Sequence, residues 1–248
     1  MENSNILRDI KTPEELLKLA KTLEGKSLKE ISRKIKDEDG DSRVKTKGSV
    51  GYQIEKEFFG IDKNCLAEPD FHSLGIELKT CPLKYNKDRT RLALKEPLSL
   101  NIINYKQEVK SSCLKESALY KKNKQILFIF YIHDKDKKRS EYIIKYVFLW
   151  EIDDSVVDEL EPDYFLILDK IREGKALDIH QYQHKYLTLC PKHSGKFKDP
   201  DCNKSKRTQP FSNALAEIRA FRLKNSYMNL VVSRHLNKEL KHGGWDEN

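Results

Sequence analysis

The 248 residues carry 47 Lys and Arg against 39 Asp and Glu, a net charge of +8, and 38% are hydrophobic. That is enough apolar material for a sizeable core, and the positive excess favours an anionic partner, nucleic acid ahead of membrane. No apolar run approaches the ~20 residues of a membrane helix, and Met1-Glu2-Asn3-Ser4-Asn5 lacks the basic and apolar regions of a signal peptide, so a cytoplasmic chain with no membrane attachment is expected.

Thr12-Pro13-Glu14-Glu15 is a capping box with proline at the first helical position, and Leu16, Leu17, Leu19, Ala20 and Leu23 continue an apolar helical face to Gly25. Ser27-Leu28-Lys29-Glu30 repeats the cap, with Ile31 and Ile35 four apart, until the polar stretch 37–42 breaks the run. This predicts a helical hairpin followed by a loop. Gly48-Ser49-Val50-Gly51 opens a third helix in which Val50, Ile54 and Phe58 recur every four residues, and Glu55 lies one position off that stripe, facing the strands.

Pro69-Asp70-Phe71-His72-Ser73-Leu74-Gly75-Ile76-Glu77-Leu78-Lys79-Thr80 carries the most chemistry. Side chains alternate along an extended strand, so Glu77 and Lys79 share one face while Ile76 and Leu78 point into a core. If the chain folds back between Asp70 and Gly75, Asp70 joins them, and two carboxylates hold a hard cation such as Mg²⁺ against a phosphate. Taken alone, the same residues also fit an amphipathic edge strand with a surface Glu and Lys. The Pro-Asp pair, the flanking apolar residues and the upstream helical acid together point to a nuclease metal site.

Further strands are expected at 98–104, 125–133 and 142–151, with a charged turn at 134–139. Residues 154–174 form one or two helices around Pro162, ending at Gly174, and 182–189 returns as a strand. Residues 191–210 read as a loop with a basic patch of Lys192, Lys196, Lys198, Lys204, Lys206 and Arg207, and a final helix is predicted at 226–240. Trp150 is assigned to the core and Trp245 to a polar tail, while Tyr105, Tyr120 and Tyr131 are core or rim residues. Cys65, Cys81, Cys113, Cys190 and Cys202 are an odd, scattered set, expected as reduced thiols. His180, His184 and His193 lie near Cys190 and Cys202, but no Cys-x2-Cys pair is present, so lone histidines and buried thiols are favoured over zinc. There is no glycine-rich phosphate loop, which argues against a nucleotide pocket.

Lys47-Gly48-Ser49-Val50-Gly51-Tyr52-Gln53-Ile54-Glu55, followed by Asp70-Phe71 and Leu74-Gly75-Ile76-Glu77-Leu78-Lys79-Thr80, resembles the MutH family of PD-(D/E)xK endonucleases. Pro82, Asn101-Ile102-Ile103-Asn104-Tyr105, Arg207-Thr208-Gln209-Pro210 and Phe221-Arg222-Leu223-Lys224 extend the resemblance over residues 12–240, toward Sau-type restriction endonucleases that recognise GATC. The resemblance implies an α/β (mixed α+β) restriction-endonuclease-like fold, a central mixed β-sheet flanked by helices with a DNA-binding cleft. It implies a single domain over 1–248, with a helical part (12–45), a catalytic core (46–155) and a DNA-reading part (156–240). The implied activity is Mg²⁺-dependent hydrolysis, with Mn²⁺ as a substitute, of a phosphodiester at GATC in double-stranded DNA.

Residue by residue, Asp70, Glu77 and the Leu78 backbone carbonyl match the family's metal ligands. Lys79 matches the lysine that orients the attacking water and stabilises phosphate charge, and Glu55 matches the helix acid that completes the site. Three uncompensated carboxylates would repel one another, so gathering them requires the metal. Lys47 and Ser49 fall at a DNA-facing helix start, and Lys192, Arg207, Gln209, Arg222 and Lys224 are the other implied DNA contacts. Arg207 and Gln209 equally fit caps of the following segment.

In mismatch-repair members a tyrosine that helps sense adenine methylation stands at the place of Arg222, and an arginine at that of Cys190. These departures favour a type II restriction enzyme over the alternative, a repair endonuclease that nicks one strand at GATC. A catalytically silent DNA-binding module is a third reading, opposed by the full set Glu55, Asp70, Glu77 and Lys79. One active site cuts one strand, so double-strand cleavage calls for a homodimer or a second MutH-like domain. Sau-type enzymes carry such a second, inactive domain, and this chain resembles either their active half or a compact one-domain relative.

Overall fold

The computed structural model describes residues 10–31, 49–61, 68–192 and 206–246. In chain order the main elements are helices α1 (Pro13–Lys21), α2 (Leu28–Ile31) and α3 (Ser49–Gln53), then strands β1 (Ile76–Tyr85), β2 (Arg91–Leu94) and β3 (Leu98–Ile102). Helices α4 (Tyr105–Glu108) and α5 (Ala118–Asn123), strands β4 (Gln125–Ile132) and β5 (Ile144–Glu151), and helix α6 (Asp154–Arg172) follow. Strands β6 (Leu187–Pro191), β7 (Lys206–Thr208), β8 (Leu215–Glu217) and β9 (Arg219–Leu223), helix α7 (Asn225–Leu236), and strands β10 (Leu240–Lys241) and β11 (Gly244–Asp246) complete it. The chain divides into two compact units, Met1–Glu96 with Gln125–Glu151 and Lys238–Asn248, and Pro97–Lys124 with Ile152–Asn237.

The first unit is built on a six-stranded mixed sheet ordered β10-β11-β2-β1-β4-β5. Strands β1 and β4 run parallel and the other pairs are antiparallel. The run Gln125-Ile126-Leu127-Phe128-Ile129-Phe130 is apolar without alternation because β4 is covered on both faces, as parallel strands require. Leu127 and Ile129 face Leu16, Ala20, Val50 and Ile54 in one core, and Phe128 and Phe130 pack with Phe148 on the other face. The capping box of α1 forms as expected, Thr12 Oγ1 accepting from the Glu15 amide at 3.2 Å and Glu15 Oε2 from the Thr12 amide at 3.2 Å. Ser27 and Glu30 cap α2 in the same way. The remainder of that predicted helix lies outside the described residues.

Two expectations in this unit are corrected. The period-four helix from Val50 does not continue to Phe58, because residues Ile54–Phe58 form a π-helical turn closed by the Phe59 amide on the Ile54 carbonyl at 3.2 Å. The wider turn buries Phe59 fully, stacked edge-on against Phe71 at 5.2 Å, and leaves Phe58 half-buried. Trp245 is likewise no tail residue. Its strand β11 pairs with β2, opposite Leu92, and the indole is fully buried. Gly244 permits this approach, since a Cβ there would stand 2.6 Å from the Leu92 carbonyl oxygen.

The second unit holds a three-stranded sheet, β3-β9-β6, and the hairpin β7-β8. Residues 154–172 form one helix through Pro162. From it the buried carboxylate of Asp163 accepts the backbone amides of Lys185, Tyr186 and Leu187 at 2.6–2.8 Å, fixing where β6 begins, later than the predicted 182. Helix α7 stops at Asn237, which is left-handed at φ 52°, so Leu240 belongs to β10 and not to the predicted helix. Strands β2, β7, β8, β9, β10 and β11 were not anticipated; all are five residues or fewer, too short for a periodic signal.

Glu108 is the other buried acid among the described residues of this unit, 1% exposed. Tyr164 donates to its Oε1 at 2.9 Å, but its Oε2 has no hydrogen-bond partner, and burial pushes the carboxyl up from 4.5 to about 6 against the smaller opposing effect of that hydrogen bond. The neutral acid is the form the fold prefers. Its contribution is therefore fully present below pH 4.5 and is lost as pH rises through about 6, a change of about 2 kcal/mol. Urea unfolding at pH 4.5, 5.5 and 7 should show this loss in the wild type relative to Glu108→Gln, which cannot ionise; parallel pH profiles would refute it.

Candidate active site

Strand β1 lies inside the sheet, hydrogen-bonded to β4 along its length and to β2 from Leu83 onward. An edge strand with surface charges is therefore excluded. At Ile76 and Leu78 the side facing away from β4 is met by the chain's own fold-back. Residues His72–Leu74 make a tight turn, Gly75 adopts φ 67°, and Phe71 and Ile76 exchange hydrogen bonds at 2.8 and 3.3 Å. A left-handed residue is needed to reverse the chain so sharply, and glycine takes it without steric cost. The turn brings Asp70 beside the strand, where its Oδ2 accepts the Leu78 amide at 2.9 Å.

Backbone N–H and C=O of one strand residue point to the same side, so the Leu78 carbonyl faces the side occupied by Asp70. Glu77 and Lys79 flank it on the face shared with Phe128 and Phe130. Glu77 is 2% exposed, and its Oε1 accepts a hydrogen bond from the Lys79 ammonium, an ion pair two residues apart on one face. A carboxylate buried this deeply needs a charge partner or hydrogen-bond donors, and the Lys79 ammonium supplies both. Asp70, Glu77 and Lys79 are thus gathered around Leu78.

Glu55 reaches the same strand elsewhere. A Cβ at Gly51 would lie 3.6 Å from Glu55 Oε1 and 2.9 Å from Thr80 Oγ1, so the helix packs closely on β1 at Thr80, one residue past Lys79 and on the opposite face from it. Among the described residues no three His, Cys, Asp or Glu side chains form a metal-holding group. The expected cluster of three carboxylates is therefore not drawn together; Glu77 is engaged by Lys79 and Asp70 by the Leu78 amide.

Of the expected DNA contacts, Lys47 lies outside the described residues and Ser49 opens α3. In the second unit Lys192 and Arg207 are exposed. Lys224 donates its ammonium to the His184 carbonyl, and Arg222 is half-buried on β9. Gln209 has a structural role instead. It is 4% exposed, its Oε1 accepts the Ala176 amide at 3.0 Å, and its Nε2 donates to the Ala214 carbonyl at 2.9 Å. Both amide atoms are thus occupied within the protein, Oε1 by the earlier Ala176 and Nε2 by the following Ala214. Arg219, missed in the sequence, holds the same loop: its Nη1 donates to the Ala176 and Ile179 carbonyls at 3.2 and 2.8 Å, and its Nε to Glu217 at 3.1 Å. An arginine in a short strand, between Ile218 and Ala220, gives no sequence signal of burial.

His180 stacks on Tyr182, His184 is buried beside Thr188, and Cys190 is a buried free thiol; His193 and Cys202 lie outside the described residues. No helix of the described residues is long and apolar enough to cross a membrane.

The model of the DNA mismatch repair enzyme MutH matches residues 59–163, a span that contains Asp70, Glu77 and Lys79. The chain is 33% identical over 219 residues to the type II restriction enzyme Sau3AI of Staphylococcus aureus, 88% of this chain and 42% of that protein. It is 30% identical over 158 residues to the DNA mismatch repair protein MutH of Buchnera aphidicola, 62% of this chain and 68% of the relative. To MutH of Escherichia coli K12 it is 23% identical over 236 residues, 93% of this chain and 96% of the relative. The chain thus spans less than half the length of the restriction enzyme it matches.

Replacing Gln209 by Ala leaves the Ala176 amide without its buried acceptor and should cost about 1–3 kcal/mol in urea unfolding. Unchanged stability together with weakened DNA binding would return Gln209 to the contact surface.

Proposed function

The chain belongs to the MutH family, and on that premise we propose that it is a divalent-metal-dependent endonuclease of the type II restriction kind, hydrolysing phosphodiester bonds at GATC in duplex DNA. The observation that carries the reading is the arrangement of Asp70, Glu77 and Lys79 around Leu78 on one central strand. The restriction kind is favoured over a nickase by the 33% identity to a restriction enzyme across 88% of the chain and by Arg222 in place of the methylation-sensing tyrosine.

The donor set fits a hard cation. Asp70 and Glu77 offer carboxylate oxygens and Leu78 a carbonyl, and Mg²⁺ is commonly held by one or two carboxylates while water fills its other positions. Such a cation, when bound, brings positive charge to the phosphate oxygens and makes water easier to deprotonate. We assign Mg²⁺ to this role, with Mn²⁺ as its substitute.

The remaining work falls to the chain. The Leu78 amide holds the Asp70 carboxylate in one orientation, so the ligand geometry is set by backbone. Lys79, whose side chain is 20% exposed, reaches the Glu77 carboxylate, and from the same place its ammonium reaches a phosphate laid over the site. There it donates to the phosphate oxygen on which charge develops and orients the attacking water. Glu55, at Thr80, positions β1 from the helix side. Lys47, Ser49, Lys192 and Arg207 supply contacts to the DNA backbone, and Arg222 a contact to the DNA. Cleavage of both strands draws on two copies of the chain or on a second MutH-like domain.

Supercoiled plasmids with unmethylated GATC, with adenine-methylated GATC and without GATC, incubated with Mg²⁺, test the proposal. Linear fragments from GATC plasmids alone are expected, abolished by EDTA; Lys79→Ala should slow cleavage about 10²- to 10³-fold. Asp70→Ala should also weaken Mn²⁺ binding measured by calorimetry without DNA. Nicked circles as the end product would select the strand-nicking alternative, and binding without cleavage the silent module.

A further inference from the structure

A phenylalanine side chain has no polar atom to offer to water, and in a left-handed backbone conformation its bulk makes it an outlier. Phe211 meets both conditions. It follows Pro210 in the turn between β7 and β8, is 73% exposed, and has a φ of 59°. Glycine or asparagine would fill such a turn position at less cost. Neither packing nor turn chemistry therefore accounts for an aromatic ring at this tip.

The backbone beneath the ring is held from both sides. Buried Gln209 accepts the Ala176 amide at 3.0 Å and donates to the Ala214 carbonyl at 2.9 Å. Gly174 lies against the turn, where a Cβ would stand 2.6 Å from the Phe211 carbonyl oxygen. The ring thus stands on a fixed mount, with Leu177 and Leu215, 44% and 38% exposed, on the two segments so joined. Cations adjoin it. Arg207 is exposed on β7, and Lys192 is exposed where its amide donates to the Ile218 carbonyl at 2.8 Å, beside the Arg219 that binds the Ala176 carbonyl. Of the acids on these segments, Glu173 pairs with Lys170 and Lys175, Glu217 with Arg219, and Asp178 is exposed.

We propose that Phe211 is an apolar wedge that enters a DNA duplex at a base step, unstacking it and bending the helix, while Arg207 and Lys192 hold phosphates beside it. The inference rests on the duplex-DNA reading above. A wedge needs one apolar side chain on a mount that does not yield, with positive charge alongside to hold the backbone it deforms. A second copy of the chain seated on this tip by two-fold symmetry would set Arg207 and Lys192 against their own counterparts. A duplex sets them against phosphates.

The full chain, as wild type, Phe211→Asn and Phe211→Gly, is titrated in Ca²⁺ against GATC duplexes carrying 2-aminopurine at successive positions in and beside the site. A second set of duplexes carries a dye at each end. With the wild type, 2-aminopurine fluorescence should rise several-fold at one step and energy transfer between the ends should increase. Both variants should lose these signals and bind about 10-fold more weakly, with the salt dependence unchanged because no phosphate contact is removed. Both also relieve the left-handed position, so neither should unfold at lower urea than the wild type, and the glycine variant carries the test if the asparagine one fails to fold. A fall in stability in both would make Phe211 a packing residue and overturn the proposal. Unstacking and bending that survive in the variants would overturn it too. So would a wild-type dimer in sedimentation that both variants dissociate while the DNA signals stay, which would assign the tip to protein association. A wild type that binds no duplex overturns the nuclease reading and this inference together, whereas duplex bound and cut without an unstacked step overturns the inference alone.

Discussion

A carboxylate buried on a central strand needs a cation or hydrogen-bond donors beside it, and the ion pair of Glu77 with Lys79 is the constraint on which the candidate site depends. Because the two residues are two apart on an extended strand, the pairing follows from backbone geometry alone. Strand β4, apolar on both faces, supplies the low-dielectric wall that makes the pairing necessary. Asp70 is then added by a second local device, the fold-back through Gly75, which places a carboxylate on the Leu78 amide. Two short-range features of sequence thus assemble three charged groups around one backbone unit.

The parts of this arrangement that were legible in the sequence are those with a local cause. The alternation Ile76-Glu77-Leu78-Lys79, the glycine at the reversal and the capping box at Thr12 each act within a few residues, and each is found where it was expected. Glu77 departed from expectation in its burial, not its direction. Alternation tells which side chains share a face, but whether that face is covered depends on β4 and its aromatic neighbours, some fifty residues later in the chain. Phe58 and Phe59 show the complementary limit. A period of four assumes an α-helix throughout, and one wider turn at Ile54 exchanges the buried phenylalanine for its neighbour. That same turn contains Glu55, the acid expected on a regular helix continuing from Val50.

What escaped the sequence reading altogether was held by long-range contacts. Trp245 looks like a tail residue because its surroundings are polar, yet it is buried by pairing with β2, and the glycine before it is there because the Leu92 carbonyl leaves no room for a side chain. Asp163, Gln209 and Arg219 are polar residues spent on backbone groups of distant loops. In a sequence such residues are indistinguishable from surface or DNA-binding ones. The basic composition of the second unit therefore overstates its contact surface, since part of it is internal scaffolding.

This distinction bears on how a nuclease of this family would separate two tasks. Holding DNA requires positive charge at the surface, which flexible lysines and arginines supply with little demand on geometry. Reading DNA requires fixed donors, and fixed donors must be mounted on something rigid and left uncommitted within the protein. In the second unit part of the positive charge is committed within the protein: Arg219 donates to loop carbonyls and Lys224 to the His184 carbonyl.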